Sequence, residues 1–167
     1  YPSSAYVEEA YLLLGESFHK SNRMNDAIQA YEALLGKFPQ SANAPQAQYK
    51  IGDAFFRLKR YDDALAAFQK VISNYNDREF AAQAQYFIGS CFKEKQDLNE
   101  AVNSYLSVIN DYPDVTSVDV QKLSIGIFFQ EVRMFDLAMK AYTQVAKVTK
   151  DPEVRLEAQY YIGETLY

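Results

Sequence analysis

Glycine recurs along this chain of 167 residues at a constant interval, and this regularity limits the fold more than any other feature. The recurring positions are Gly15, Gly52, Gly89, Gly126 and Gly163, each 37 residues after the one before. Self-similarity at a fixed period of 20–50 residues is the signature of a solenoid or array, in which each unit packs on its neighbours. The sequence therefore predicts a protein that works by presenting an extended surface.

Other residues recur with the same interval and indicate helices. Alanine is found at Ala27, Ala64, Ala101 and Ala138, and an aromatic residue follows four positions later at Tyr31, Phe68, Tyr105 and Tyr142. Apolar residues within each unit follow the i, i+3, i+4, i+7 spacing of one buried helix face. Each unit therefore reads as helix A, a short polar turn, helix B and a second turn that often contains proline. Helix A is predicted near 4–20, 41–57, 78–94, 115–131 and 153–167, and helix B near 24–37, 61–75, 98–111 and 135–148.

The recurring glycines indicate a steric requirement. Glycine inside a helix costs about 1 kcal/mol relative to alanine. Its repeated use predicts a close approach of the two helix backbones, with Gly15 and Ala27 facing each other, which a larger side chain would block. No glycine cluster is present, so a phosphate-binding loop is excluded.

These residues resemble the tetratricopeptide repeat, whose signature is W-x2-L-G-x2-Y, then A-x3-F, then P. The first unit reads Tyr11-x2-Leu14-Gly15-x2-Phe18, then Ala27-x3-Tyr31, then Pro39. Two features depart from the family. The chain has no tryptophan, and its unit exceeds the family period of about 34 residues. The resemblance implies an all-α, right-handed superhelical solenoid of antiparallel helix–turn–helix repeats with a period of 37.

The resemblance also implies a domain organisation. A single array is expected over 1–167, with repeats at 2–38, 39–75, 76–112 and 113–149 and a partial repeat at 150–167. Because Tyr1-Pro2 matches the end of a unit and the last helix A lacks its helix B, the chain is expected to be an internal fragment of a longer array.

The longer unit resembles a bacterial form of the repeat. The extra residues follow the proline in Pro39-Gln40-Ser41, and the segment from Pro39 to Gly52 reads P-x-S-x-x-A-x-x-A-x-Y-x-I-G. This form is similar to cell-envelope members of the family, such as the periplasmic protein of the Tol-Pal system and the outer-membrane assembly lipoprotein. It implies a periplasmic or outer-membrane location, with a general bacterial repeat protein and a cytoplasmic location as the alternatives.

Composition and motifs exclude several classes of function. The net charge of −5 and the lack of a basic run argue against nucleic acid, and no apolar run reaches the ~18 residues that span a bilayer. Cys91 is alone and cannot form an intrachain disulfide, so we interpret it as a small buried residue. His19 is interpreted as a solvated residue at the end of helix A. No catalytic set can be built around it, and we expect no enzyme activity, cofactor or metal.

A partner-binding groove is the predicted functional site. In the resembled family, helix A residues that are not used in packing line a concave groove. The corresponding residues here are Leu12, Tyr49, Asp53, Tyr86, Val120, Leu123, Ile127 and Tyr160. The fourth unit is apolar where the others are polar, which is typical of an interaction site. Three alternatives stay open: the tyrosines cover neighbouring helices, the fourth unit is overpacked around Gln121 and Phe128, or the rest of the chain folds onto this patch.

The expected function is therefore protein–protein recognition without catalysis, with a peptide or protein bound in the groove of a bacterial envelope complex. The alternative is a structural assembly module that packs against itself or against the rest of its own chain.

Overall fold

The computed structural model describes residues 2–166, which form an all-helical solenoid. The nine α-helices of this range are α1 Pro2–Lys20, α2 Met24–Lys37, α3 Ala44–Arg57, α4 Tyr61–Asn74, α5 Arg78–Glu94, α6 Leu98–Asp111, α7 Asp119–Glu131, α8 Phe135–Val148 and α9 Pro152–Leu166. A short 3-10 turn at Thr116–Val118 precedes α7. The predicted all-α class is confirmed.

The helices form successive antiparallel pairs, and each helix packs mainly against its neighbours in the chain. We call α1, α3, α5, α7 and α9 the A helices and the others the B helices. The predicted helix ranges agree with the structure to within a few residues, with α7 as the main exception. It begins at Asp119 rather than near 115, because the 3-10 turn occupies the preceding residues.

The turn between helix A and helix B is the same in the first four pairs. The middle residue of this three-residue turn is left-handed, with φ between 58° and 62°, at Asn22, Lys59, Gln96 and Arg133. In the third pair, the Gln96 amide donates to the Lys93 carbonyl at 3.0 Å and the Asp97 amide donates to the Phe92 carbonyl at 2.9 Å. These are the two hydrogen bonds of a Schellman motif, which satisfies the last carbonyls of a helix. The polar turn of each unit is thus a defined helix end.

The recurring glycines make room for an aromatic ring of helix B. A Cβ atom added to Gly89 would lie 2.5 Å from the ring of Tyr105, and one added to Gly52 would lie 2.6 Å from Phe68. The sequence predicted an obstacle from a close approach of the two helix backbones, but the nearest obstacle is a side chain. The ring four residues after the facing alanine occupies the space, so neither the alanine nor the helix B backbone sets the limit.

The core runs along the array as three consecutive clusters of buried side chains. The aromatic rings over the first four glycines are buried at its centre. Cys91 is also fully buried. Burial raises the pKa of its thiol to about 12, so the side chain is uncharged in the core. Its interpretation as a buried residue is confirmed.

The fourth helix pair packs on the third in a different way from the other successive pairs. α4 and α5 pack along much of their length, whereas α6 and α7 meet at few points. Alanine and cysteine face the preceding repeat at Ala84 and Cys91 of α5, but the corresponding residues of α7 are Gln121 and Phe128. Phe128 is buried against Tyr105 with ring centroids 5.1 Å apart. Larger side chains therefore fill the space that the helices leave between them.

A buried lysine completes this junction. Lys122 is fully buried, and its Nζ donates to the Val115 carbonyl at 2.8 Å, the Pro113 carbonyl at 3.3 Å and Asp119 Oδ1 at 3.2 Å. Burial lowers the pKa of Lys122, while the neighbouring Asp119 carboxylate opposes that shift. The lysine therefore ties the loop before α7 to the helix itself.

Candidate protein-binding face

The predicted groove residues lie on the A helices, and the structure divides them by exposure. Tyr49, Asp53 and Leu123 are buried, Leu12, Tyr86 and Ile127 are half-buried, and Val120 and Tyr160 are 59% and 61% exposed. Only the last two groups can offer side-chain surface to a partner.

Tyr49 belongs to the core. Its ring lies 5.7 Å from Phe68, 5.8 Å from Phe80 and 5.9 Å from Phe87, measured between centroids. Rings at these distances and angles pack favourably beyond the area that they bury. The expectation that Tyr49 faces the groove as a free contact residue is wrong, because α5 and α4 cover its ring. For this tyrosine the alternative that it covers neighbouring helices is correct.

Leu123 is also a core residue. It is 2% exposed and lies in the cluster that contains Val118 and Phe129. The expectation that it faces the groove is wrong, because the loop before α7 and the large side chains of α7 form an apolar core around it. Ile127, one turn further along α7, is only partly buried. The apolar character of the fourth unit is therefore shared between core packing and exposed surface.

The Asp53 carboxylate lies against the His19 imidazole between α1 and α3. Asp53 Oδ2 lies 2.8 Å from His19 Nε2 and 3.2 Å from Arg57 Nε, and the His19 and Asp53 side chains are each 11% exposed. The His19 contact has ion-pair distance but not the alignment of a hydrogen bond. Our interpretation of His19 as a solvated residue is wrong. It turns inward because the Asp53 carboxylate on the next A helix gives it a partner.

The charge state of His19 follows from this environment. Burial lowers its pKa, and the positive charges of Arg57 and Lys50 act in the same direction, while Asp53 opposes them. Beside this pair, Gln46 Nε2 donates to Glu16 Oε1 at 3.1 Å. Two polar contacts, between His19 and Asp53 and between Gln46 and Glu16, therefore join the first two A helices to each other.

A small polar pocket lies next to this contact. It encloses about 140 Å³ and is lined by Glu16, His19, Lys20, Tyr31 and Lys50. Within the described residues, the Tyr31 hydroxyl has no hydrogen-bond partner, whereas the corresponding Tyr142 hydroxyl donates to Gln130 Oε1 at 2.6 Å. The described part of the chain contains no group of three His, Cys, Asp or Glu side chains that could hold a metal ion.

Among the predicted groove residues, the apolar surface that remains lies mainly on α5, α7 and α9. Tyr86 packs on Phe87 and Tyr105 with centroid distances of 5.4 and 5.7 Å, and its remaining surface is open. Val120 and Ile127 are two turns apart on α7, and Tyr160 follows on α9. We call Tyr86, Val120, Ile127 and Tyr160 the A-face patch.

Among the described helices, none combines the length and apolar character needed to cross a bilayer.

Solved structures with the same fold are found across nearly the whole chain. One is MamA from Desulfovibrio magneticus, residue 41 to the end, with 14% identity, a TM-score of 0.61, and coverage of 95% of this chain and 93% of that one. A tetratricopeptide repeat protein from Parabacteroides merdae has 14% identity and a TM-score of 0.67 over 95% and 60% of the two chains. The C-terminal part of a repeat protein from Cytophaga hutchinsonii has 22% identity and a TM-score of 0.56 over 90% and 57%.

These likenesses show the fold, and two of the three similar chains are considerably longer than this one. No curated protein matches the sequence. Two patterns described as tetratricopeptide repeat match residues 9–41 and 49–114, which together make up more than half of the chain. With its paired helices and recurring glycine and aromatic positions, the chain belongs to the tetratricopeptide repeat family.

Proposed function

We propose that this protein is a scaffold that binds a peptide or protein on the A-helix side of the solenoid. Proteins of this family are generally non-catalytic and bind other proteins or peptides. The A helices of this family line a concave groove, which makes the A-face patch the best candidate for partner contact. The repeat ranges 2–38, 39–75, 76–112 and 113–149, with a partial repeat at 150–167, are part of the same proposal.

The single observation that carries the proposal is the exposure of large apolar side chains in the A-face patch. Val120 and Tyr160 each leave more than half of their surface open, at positions where the A helices of the family face the groove. Exposed large apolar side chains mark interaction sites when they form a patch. Tyrosine suits such a surface because it combines a large contact area with a polar hydroxyl.

The two halves of the A-helix side favour different parts of a partner. Lys20 and Lys50 line the polar pocket beside the first two A helices, and Arg57 is exposed on α3. The A-face patch lies further along. An extended segment with an acidic or polar end and an aliphatic or aromatic end matches this arrangement.

We propose that this scaffold belongs to a bacterial envelope complex. This assignment rests on the sequence motif from Pro39 to Gly52 and not on the geometry of the structure. Subcellular fractionation of the native organism tests this part of the proposal. Recovery in the cytoplasmic fraction alone would contradict it.

Site-specific photo-crosslinking in native cells tests the binding face. A photoreactive phenylalanine analogue at Tyr160 or Val120 should give a discrete crosslinked product with a partner protein. The matched control carries the analogue at Gln69, which is exposed on helix B α4. Two outcomes would contradict the proposal. One is a yield of crosslinked product from Gln69 equal to the yields from Tyr160 and Val120, and the other is no crosslinked product from either Tyr160 or Val120.

Val120→Ser combined with Ile127→Ser should then reduce crosslinking from Tyr160 about thirtyfold or more, since loss of an interface anchor commonly costs about 2 kcal/mol.

A second candidate function is assembly through the end of the array. Tyr6, Leu13 and Leu14 of α1 are exposed apolar residues, and this observation favours packing against another chain or segment. Sedimentation that depends on protein concentration would support this second function.

A further inference from the structure

A groove lies between the B helices α2 and α4, with the A helix α3 beneath it. It encloses about 510 Å³, and Leu35, Ile51 and Phe55 give it an apolar floor. A site of this size holds a large side chain or a small ligand. Because α1 packs against α2 and α5 packs against α4, the groove lies inside the array and not at its end. We call it the α2–α4 groove.

Gly36 lines this groove, and nothing within the described residues explains why it is a glycine. It lies inside α2, where glycine lowers the stability of a helix relative to alanine. Its φ is not positive, and no atom lies within 4 Å of its Cβ position. Glycine also serves where a ligand approaches a backbone closely. We therefore interpret Gly36 as leaving room for a group from outside the chain.

The corresponding groove between α6 and α8 is bridged where the α2–α4 groove is open. Gly36 lies on one wall of the α2–α4 groove and Ala66 on the other. Two repeats later, Asn110 and Lys140 stand at these positions, and Lys140 Nζ donates to Asn110 Oδ1 at 2.7 Å. Two small residues therefore replace a pair of side chains that join the B helices elsewhere.

The groove also contains an unused hydrogen-bond acceptor. Gln48 lines it and is 7% exposed, and its Nε2 donates to the Ala67 carbonyl at 3.1 Å. Among the described residues, no group donates to Gln48 Oε1. An unpaired acceptor in such a setting is costly, which favours a ligand that carries a donor. The chain itself contains a matching pair, because the Tyr142 hydroxyl donates to Gln130 Oε1 at 2.6 Å.

We propose that the α2–α4 groove binds a tyrosine side chain of a partner protein. The ring lies on Ile51 and Phe55, and the hydroxyl donates to Gln48 Oε1. An aromatic ring with a donor at its end fits an apolar floor that carries one acceptor. Tyrosine is also among the residues that most often anchor protein interfaces. This site is separate from the A-face patch and does not rest on the proposed function.

The walls of the groove favour a protein segment over a free phenol. Gly36 and Ala66 leave space for the backbone that carries the tyrosine. Glu32 on α2 and Lys70 on α4 are exposed and form no ion pair within the described residues. They offer one charge of each sign to a lysine and a glutamate of that segment.

Solution NMR with N-acetyl-L-tyrosinamide as the probe tests this site, read at the side-chain amide signals of Gln48. The probe should shift these signals to saturation. N-acetyl-L-phenylalaninamide lacks only the hydroxyl and should bind about fivefold more weakly, because it leaves the acceptor unpaired. Gln48→Leu should remove this preference for tyrosine over phenylalanine, read at the backbone amide of Ile51.

Two protein variants locate the binding site. Gly36→Leu should weaken binding of the tyrosine probe at least tenfold without lowering the melting temperature, since the added side chain enters open space. Ser73→Leu is the matched control, because Ser73 is exposed at the corresponding position one repeat later, and it should bind the probe like the parent protein. Val120→Ser with Ile127→Ser should also bind normally, which separates this site from the A-face patch.

A peptide distinguishes a protein segment from a free phenol as the natural occupant. The probe is a heptapeptide with tyrosine at its centre, flanked by one lysine and one glutamate in either order. The better order should bind at least tenfold more tightly than the capped tyrosine. Glu32→Gln with Lys70→Gln should remove this gain and leave binding of the capped tyrosine unchanged.

Four results would overturn the proposal. They are an absence of saturable shifts at Gln48, equal binding of the tyrosine and phenylalanine probes, binding that Gly36→Leu leaves unchanged, and a heptapeptide that binds no more tightly than the capped tyrosine. A Gln48 signal that moves with protein concentration in the absence of probe would identify a second copy as the occupant, which also contradicts it. Saturable binding that requires both the hydroxyl and Gly36, and that the peptide strengthens, supports the proposal.

Discussion

The junction between α4 and α5 and the junction between α6 and α7 join successive repeats by different means. At the first, Ala84 and Cys91 allow the helices to pack closely, and the Asp77 carboxylate accepts the Glu79 and Phe80 amides at 3.0 Å to begin α5. At the second, α7 begins without a side-chain cap and its helix meets α6 at few points.

At the junction where the helices meet at few points, larger side chains stand at two positions that are small in α5. Gln121 and Phe128 replace alanine and cysteine in α7, and the loop before α7 supplies Val115 and Val118 to the core. The loop carbonyls need a donor in this buried setting, because an unpaired polar group in the interior is costly. Lys122 provides it. A repeat array can thus depart from its regular spacing at one junction without losing a continuous core.

The largest effect is expected from removing Lys122. Lys122→Ala would leave the buried Asp119 carboxylate without its positive partner and leave the Val115 carbonyl without its donor. Breaking a buried pair by removing one partner typically costs about 3–5 kcal/mol. Urea unfolding should show a loss of this size in the free energy of unfolding.

Gln85→Ala is the control at the corresponding position of the regular repeat. It removes one neutral hydrogen bond to the Ser104 carbonyl and should cost about 1 kcal/mol. Equal losses from the two substitutions would show that the α6–α7 junction does not depend on its lysine.

The next effect separates core from surface on α7. Leu123→Ala should lower the free energy of unfolding by about 2–5 kcal/mol, because Leu123 is buried in the core. Val120→Ser, three residues earlier, should change it by about 0.5 kcal/mol or less, since Val120 is exposed. Chemical unfolding of both variants measures the contrast. Similar effects would mean that the α6–α7 junction does not bury α7 as described.

A smaller effect is expected from the glycine of a complete repeat. Gly89→Leu places a side chain where the Tyr105 ring lies and should cost about 1–3 kcal/mol through overpacking. Gly163→Leu is the matched control, because the same position of α9 is open. Equal shifts of the melting temperature for the two variants would contradict the claim that glycine is required because of the ring above it.

The smallest effect is a dependence on pH at the contact between the first two A helices. Burial lowers the pKa of His19 below its ordinary value of 6.5, so the unfolded chain takes up the proton first as the pH falls. The contribution of His19 to stability is therefore present above pH 6.5 and is lost as the pH falls towards the lowered pKa. His19→Gln, which removes the only histidine, should flatten the melting temperature between pH 7.5 and pH 5.5. A slope that His19→Gln leaves unchanged would assign the pH dependence to other groups.

The sequence predicted most of the helices because their signals are local and repeated. Helix B of each unit carries an aromatic residue four positions after alanine, and α2, α4, α6 and α8 each contain this pair. The Schellman turns were not predicted, because Asn22, Lys59, Gln96 and Arg133 adopt a left-handed conformation that glycine usually provides.

The candidate site was less predictable because burial depends on contacts between repeats. Gln121 and Phe128 marked the fourth unit as unusual, but its apolar residues were interpreted as groove surface. The loop before α7 buries Leu123, and loop carbonyls seven and nine residues before Lys122 make a charged side chain a core residue. A lysine in a column of glutamines gives no local sign of that environment. His19 likewise gains its carboxylate partner only when α1 and α3 pack together.

The central claim is that each junction stabilises only the repeats that it joins. Hydrogen exchange of the Lys122→Ala variant, measured by mass spectrometry across the whole chain, tests this claim most directly. In a solenoid, stability is nearly a sum over repeats and their neighbour contacts. We expect faster amide exchange in the loop 112–118 and in α7, with protection in α1–α4 unchanged. A uniform loss of protection from α1 to α9 would contradict the account, because it would mean that the array unfolds as one globular unit.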